Sequence, residues 1–169
     1  MIENPRYIKK LNNENYYFHI YEKNEIVKFA DQNNLSYYID SFEWIYENKK
    51  YELQFKDKDF GGRNFVIHNN KIFICYNGIS PSFPAPNNLV IYTPTREIER
   101  ILSTPILPTG KQGAGFMQIG DLKGWETIPK GFEDWLSVWV WEHERSEWVY
   151  QYFFNPDTYE FIFGHKFRN

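Results

Sequence analysis

A repeated pairing of short apolar runs across brief polar breaks is the feature that most constrains how this chain can fold. Residues 42–46 and 51–55 flank Glu-Asn-Lys-Lys, and residues 65–68 and 72–76 flank Asn-Asn-Lys. Strand-length runs joined by such breaks are typical of β-hairpins, and Asn tolerates the left-handed backbone of tight turns. Each pair therefore predicts a hairpin, and successive hairpins build antiparallel sheets.

The same pattern continues toward both ends of the chain. Two further hairpins are predicted by the paired runs at residues 16–21 with 26–30 and at residues 89–92 with 98–102. A strand-like run at residues 116–119 also predicts a single strand. Three further runs, at residues 137–144, 148–154 and 159–167, predict a C-terminal three-stranded meander. Period-two alternation along the meander assigns Trp139 and Trp141 to the same face as Trp148.

Three segments are alternative candidates for short helices. Residues 25–32 compete with the strand at 26–30, because Asn24 is a suitable N-cap residue. Residues 95–103 compete with the strand at 98–102, because their apolar residues have helical spacing and a proline follows. Residues 129–136 are long enough for one or two helical turns.

Composition supports a strand-rich fold. Hydrophobic residues make up 42% of the chain and aromatic residues 20%, which is sufficient for a packed core. Alanine, the strongest helix former, occurs only at Ala30, Ala85 and Ala114. The predicted fold class is α+β and mainly β: antiparallel hairpins and a meander with one or two short helices. The length indicates a single domain over residues 1–169, with the proline-rich stretch 79–88 as a candidate subdomain junction.

Charge and cysteine content restrict the classes of partner. The formal net charge is −3, which argues against nucleic-acid binding through a basic surface. No apolar run reaches the roughly 18 residues of a membrane-spanning helix, and the N-terminus lacks the features of a secretory signal. The single cysteine, Cys75, excludes an internal disulfide and a Cys-based zinc site. We therefore expect a cytoplasmic protein that does not bind membranes.

No motif in the sequence points to catalysis. Residues 108–115 contain Gly-Lys as a phosphate-binding loop does, but Gln follows in place of Ser or Thr and a strand-like run comes next. His143 and Glu147 lack the second histidine of a helical zinc-protease motif. The expectation is a non-enzymatic protein with no catalytic residue, metal ion or cofactor.

Acidic and aromatic residues concentrate around the predicted meander. The residues expected to contact a protein partner are Glu133, Asp134, Trp141, Glu142, Glu144, Glu147 and Trp148. Such a surface suits a basic protein, because opposite charge speeds the encounter and buried aromatic side chains then hold the complex together.

The segment from Phe83 to Tyr92 (FPAPNNLVIY), followed by Trp- and acid-rich hairpins, resembles segments of small bacterial immunity proteins from polymorphic-toxin systems. The resemblance points to no specific subfamily. It implies a single-domain cytoplasmic protein that binds and blocks a cognate toxin, often a basic nuclease. The resulting hypothesis is an immunity- or antitoxin-type inhibitor that occludes a toxin with its acidic, aromatic surface.

Two other classes of function remain open at the level of sequence. About a dozen strands joined by short hairpins are also compatible with an up-and-down β-barrel that holds a small apolar ligand. An enzyme whose Glu, His and Tyr side chains come together only in the folded chain is a further alternative.

The immunity hypothesis predicts the effect of reversing the charge of Glu142, Glu144 and Glu147 together. We expect weaker partner binding without unfolding, because a basic partner would meet like charge at these positions. Binding is measured by titration calorimetry and folding by circular dichroism. An unchanged affinity would remove this surface from consideration.

Overall fold

The computed structural model describes residues 1–20, 22–35, 39–56, 59, 65–122, 128–143 and 146–168. Within these ranges the chain forms twelve strands and one helix, and the strands build three four-stranded antiparallel sheets. We name them the N-terminal, central and C-terminal sheets. The mainly β character predicted from the sequence is confirmed.

Each sheet is built from one continuous part of the chain. The N-terminal sheet has the order β2-β1-β3-β4 and consists, with one helix, of β1 Glu3–Leu11, β2 Glu14–His19, α1 Lys23–Gln32, β3 Ser41–Tyr46 and β4 Lys49–Gln54. The central sheet runs in chain order and consists of β5 Phe65–His68, β6 Lys71–Cys75, β7 Leu89–Tyr92 and β8 Ile98–Leu102. The C-terminal sheet also runs in chain order and consists of β9 Gly115–Asp121, β10 Leu136–Trp141, β11 Trp148–Phe154 and β12 Phe161–Arg168.

Asparagine-containing turns close three of the hairpins. The two-residue turns Asn12-Asn13, Glu47-Asn48 and Asn69-Asn70 all have positive φ at both positions. This is the geometry of a type I′ turn, whose twist matches that of the flanking strands. The turn at Asn69-Asn70 places His68 opposite Lys71, as the hairpin prediction requires.

The inner strands of the central sheet, β6 and β7, are buried on both faces, so the three sheets form a stack. On β6, Phe73 and Cys75 belong to a core shared with the C-terminal sheet. The alternating residues Ile72 and Ile74 belong to a second core shared with the N-terminal sheet. None of the three sheets closes on itself. The described strands therefore form a stack of open sheets and not the ligand-binding barrel of the alternative hypothesis.

For two segments the sequence predicts both a strand and a helix, and the elements that each segment contacts show which one forms. Residues 23–32 form α1, whose Phe29 ring lies 4.5 Å from that of Tyr16, so the hairpin predicted there is wrong. Residues 98–102 form β8, because they pair with β7, so the helix predicted over 95–103 is wrong. Residues 129–136 contain turns and the start of β10, and no helix.

β1 is the strand that the sequence pattern did not predict. Its residues are mostly polar and include Pro5, yet it lies between β2 and β3 at the middle of its sheet. The register between β1 and β3 shifts between Glu3 and Arg6, around the proline, which cannot donate a ladder hydrogen bond.

The proline-rich stretch 79–88 is an excursion between paired strands. β6 and β7 are neighbours in the central sheet, with Cys75 opposite Leu89. The candidate subdomain junction therefore lies inside one sheet. Whether residues 1–169 unfold as one domain stays a prediction.

The Asn88 side chain joins the central and C-terminal sheets. Its amide nitrogen donates to the carbonyls of Tyr76 and Phe116, each at 2.7 Å, and its amide oxygen accepts from the Phe116 N–H at 2.9 Å. The residue is fully buried. One side chain thus satisfies three main-chain groups that water does not reach.

Replacing Asn88 with Ala is expected to lower the free energy of unfolding by about 2–4 kcal/mol, because it strands buried main-chain donors and acceptors. Urea denaturation followed by fluorescence measures the loss. The control is Asn15→Ala, at an exposed position of β2, which should change stability by less than about 0.5 kcal/mol. Equal effects of the two substitutions would contradict the assigned role of Asn88.

Candidate protein interface

Three chain connections leave the strands at one end of the stack, which we call the loop end: β6–β7 (76–88), β8–β9 (103–114) and β10–β11, of which residues 142–143 and 146–147 are described. The Thr104 N–H donates to the Pro86 carbonyl at 3.2 Å, and the Ala114 N–H donates to the Trp141 carbonyl at 2.8 Å. A Cβ atom at Gly115 would lie only 2.9 Å from that of Ala85. The β6–β7 and β8–β9 connections therefore contact each other and the ends of β9 and β10.

Strand register places the predicted tryptophans on different faces of the C-terminal sheet. Val140 is opposite Tyr150 and Trp141 is opposite Val149. Trp139 and Trp141 therefore lie on the face opposite Trp148, and the face assignment made from sequence is wrong for β10. The cause is the β10–β11 connection, which spans residues 142–147 and shifts the pairing by one residue relative to a tighter turn.

Trp148 is an exposed aromatic residue among the predicted contact residues. Its side chain is 45% exposed at the start of β11. The Lys166 ammonium on β12 lies 4.7 Å from the centre of the Trp148 ring and 4.8 Å from that of Tyr150. Cation–π attraction of this kind holds one side of the indole in place and leaves the remainder open to solvent.

Cations from β12 neutralise the described acids of the loop end. The Lys166 ammonium lies 3.6 Å from the Glu142 carboxylate, and Arg168 forms an ion pair with Glu147. The surface around Trp148 therefore carries balanced charge in its described part. Sequence reasoning missed this compensation because the two cations lie about twenty residues beyond the acids and approach only through β11–β12 pairing.

The remaining predicted residues are not at this end. Glu133 and Asp134 are exposed and precede β10, so they lie at the opposite end of that strand from Trp141. The Glu133 carboxylate accepts the Gly131 N–H, and hydrogen bonds from the Glu133 and Gly131 N–H groups hold its pKa below the usual value. Glu144 lies outside the described residues.

The glycine-rich stretch is a small, closed hairpin. Ile106 and Gln112 form a bridge, the Leu107 N–H donates to the Lys111 carbonyl at 2.7 Å, and the Gly110 N–H donates to Leu107 at 2.9 Å. These N–H groups are occupied internally, so they do not form the open cradle that a phosphate group needs. We call residues 106–112 the short hairpin.

Besides Ile79, which is 67% exposed in the β6–β7 connection, the structure adds two exposed apolar residues beside Tyr152 that sequence reasoning did not select. Ile106 is 64% exposed on the short hairpin, and Phe163 is 43% exposed on β12. Both adjoin Tyr152, whose hydroxyl donates to the Ile106 carbonyl at 3.3 Å and whose ring centre lies 5.7 Å from that of Phe163. Burial raises the pKa of Tyr152 to about 12, so this phenol stays protonated and able to donate.

Together these residues form one surface at and beside the loop end. Its apolar members are Ile106, Trp148 and Phe163, and its charged members are Glu142, Glu147, Lys166 and Arg168. We call it the loop-end surface. Ile106 was detectable in principle, since it lies between two prolines in a stretch already recognised as irregular, whereas the exposure of Phe163 depends on where the central sheet ends.

Neither a metal site nor a membrane span is evident in the described ranges. No group of three or more His, Cys, Asp or Glu side chains there is placed to hold a metal ion. No helix in the same part of the chain is long and apolar enough to cross a membrane.

Comparison with known proteins yields a structural match and no sequence match. No protein-family model and no curated protein matches the chain. A chain from a solved structure described as Tne2 in complex with Tni2 matches with a TM-score of 0.59 and 11% sequence identity. The match covers 100% of this chain and 99% of that chain. At this identity it shows a shared fold over the full length.

Gly113, at the base of the short hairpin, is predicted to tolerate no side chain. A Cβ atom there would lie 2.3 Å from Cγ1 of Val140, so Gly113→Ala should cost about 1–3 kcal/mol of unfolding free energy through overpacking. The control is Gly120→Ala, because a Cβ atom at Gly120 meets nothing within 4 Å. Thermal unfolding of both variants checks the difference, and a fully stable Gly113→Ala protein would contradict the close approach.

Proposed function

We propose that this chain is an immunity-type inhibitor: a non-enzymatic cytoplasmic protein that binds a cognate bacterial toxin through the loop-end surface. The observation that carries the proposal is the exposure of Ile106, Trp148 and Phe163 around buried Tyr150 and Tyr152. Large apolar side chains grouped on one surface are typical of protein-binding sites.

The arrangement of polar groups favours a protein partner. Ion pairs between Glu142 and Lys166 and between Glu147 and Arg168 lie beside the exposed Trp148 ring. An aromatic centre beside charged groups is the usual composition of a protein interface, in which a few aromatic anchors supply most of the binding energy. The side chains at this surface are already held by one another, so little conformational freedom is lost on binding.

Two further findings support an immunity-type role. The fold is shared over its whole length with a chain whose structure is that of Tne2 in complex with Tni2, and is therefore found in a complex of two proteins. The sequence between Phe83 and Tyr92 resembles segments of immunity proteins, and this segment runs from the β6–β7 connection at the loop end into β7.

Trp148 is the residue whose removal tests the proposal. The tagged chain is used to capture a stoichiometric partner from a lysate of the source organism, and the purified partner is then titrated with variants. Trp148→Ala should weaken binding about 30-fold, equivalent to about 2 kcal/mol, as expected for an aromatic anchor. Tyr17→Ala is the matched control, because Tyr17 is about equally exposed but lies on the N-terminal sheet.

The outcomes separate clearly. Loss of affinity in Trp148→Ala with unchanged affinity in Tyr17→Ala supports the loop-end surface, and inhibition of the partner's activity by the chain supports the immunity role. A partner that binds both variants like the original chain would rule out this surface, and absence of any stoichiometric partner would count against the function itself.

The ion pairs require one additional control for charge reversal. Glu142→Lys alone both reverses a charge and removes the partner of Lys166, so its effect on binding is ambiguous. The double variant Glu142→Lys with Lys166→Glu exchanges the two charges and keeps the pair. If only the ion pair matters, the double variant recovers the affinity. A fall in both variants means either that the negative charge at residue 142 steers the partner or that the Lys166 ammonium is needed over the Trp148 ring; Lys166→Met alone separates the two, because it removes the ammonium and keeps Glu142.

A further inference from the structure

We infer that the short hairpin, residues 106–112, enters a concave site on the partner that has an apolar wall and a carboxylate group at its floor. This inference rests on the proposed function and adds to it the chemistry of the partner site. It is carried by the rigidity of the short hairpin, the size of its side chains and the charge at its tip.

The short hairpin is braced along its length. The Gly113 N–H donates to the Pro105 carbonyl at 3.1 Å, and the Thr104 hydroxyl donates to the Gly113 carbonyl at 2.6 Å. Together with the internal bonds of Leu107, these contacts close the loop at its base and near its tip. A loop that is ordered before binding loses little entropy when it enters a cleft.

A buried anchor fixes the short hairpin to the body of the protein. The Leu107 side chain is buried in the core shared by the central and C-terminal sheets. Its neighbour Ile106 points outward and is fixed through its carbonyl by Tyr152. Because the buried Leu107 holds the hairpin in place, the side chain of the adjacent Ile106 is exposed at a defined position.

The tip is narrow and continuously exposed. Pro108, Thr109, Gly110, Lys111 and Gln112 are all exposed, and the first three are small or lack a long side chain. Gly110 adopts a φ of +80°, which an L side chain rarely tolerates, so the turn itself depends on glycine. An exposed turn with small side chains at its tip is narrow enough to enter a cleft.

Charge defines what the floor of the cleft must contain. The cations of the loop-end surface, Lys166 and Arg168, are paired with acids. Lys111 forms no ion pair with any described residue, so it brings a net positive charge to the tip. Burying an ammonium in a cleft is unfavourable unless a carboxylate meets it, so a partner cleft that receives this tip must supply one.

Site-specific photo-crosslinking locates the tip in the complex. A benzophenone amino acid replaces Thr109, and for control Asp157, which is exposed in the β11–β12 turn. The captured partner protein is crosslinked with each variant, and the joined peptides are identified by mass spectrometry. We expect Thr109 to crosslink to residues lining a carboxylate-containing cleft and Asp157 to give no specific product.

Affinity for the same purified partner tests the charge. Lys111→Glu should weaken binding at least tenfold, because it places a carboxylate against a carboxylate. Lys130→Glu is the matched control, since Lys130 is exposed before β10, away from the loop end, and should change binding less than about twofold. Circular dichroism confirms that both variants fold.

Failure of this inference is distinguishable from failure of the proposed function. A partner that is captured and still loses affinity in Trp148→Ala, but crosslinks to Thr109 only on a convex face or not at all, overturns insertion of the short hairpin. Full binding by Lys111→Glu overturns the carboxylate floor. If no partner is captured, the proposed function fails first.

Discussion

Burial of both faces of β6 and β7, the inner strands of the central sheet, is the constraint on which the rest of the structure depends. β6 presents Phe73 and Cys75 to one side and Ile72 and Ile74 to the other, and all four are essentially inaccessible to solvent. A single antiparallel cover would leave one apolar face in water, so two further sheets are required. The core is consequently divided into two layers, one on each side of β6 and β7.

Polar contacts align the layers that hydrophobic burial brings together. Asn88 joins the central sheet to β9. The Tyr159 ring centre lies 5.3 Å from the Lys71 ammonium and 4.5 Å from the Arg100 guanidinium, and these contacts join the β11–β12 turn to the central sheet. Asp59 binds the Ser80 hydroxyl at 2.6 Å and the Ser82 hydroxyl at 2.7 Å, which positions the β6–β7 connection. Burial alone would raise the pKa of Asp59, but these hydrogen bonds outweigh it and hold the pKa below its usual value. The loop end is thus ordered by contacts that originate in the body of the stack.

Most strands were predictable because their turns and apolar runs are local properties. Turns such as Asn69-Asn70 favour left-handed backbone wherever they occur, so the hairpin they close does not depend on distant residues. β1 and α1 show the limit of that reasoning. β1 is polar and contains Pro5, and it is a strand because β2 and β3 pair with it on both sides. The location of the candidate site was predictable only in part: Glu142, Glu147 and Trp148 lie at the loop end, whereas Trp141 lies on the face opposite Trp148, and Glu133 and Asp134 lie at the opposite end of β10.

The amino-acid sequence by itself determined the strand content, the Asn-containing turns, the absence of disulfides and the grouping of acids with tryptophans near the C-terminal meander, because each is a property of composition or short-range order. Tertiary structure decided which face each tryptophan occupies, since a one-residue change of register moves a whole strand to the other face. It also decided that Lys166 and Arg168 neutralise Glu142 and Glu147, and that Ile106 and Phe163 are left uncovered. These features depend on the pairing of β11 with β12 and on where the central sheet ends, and such long-range geometry is not contained in any local pattern of residues.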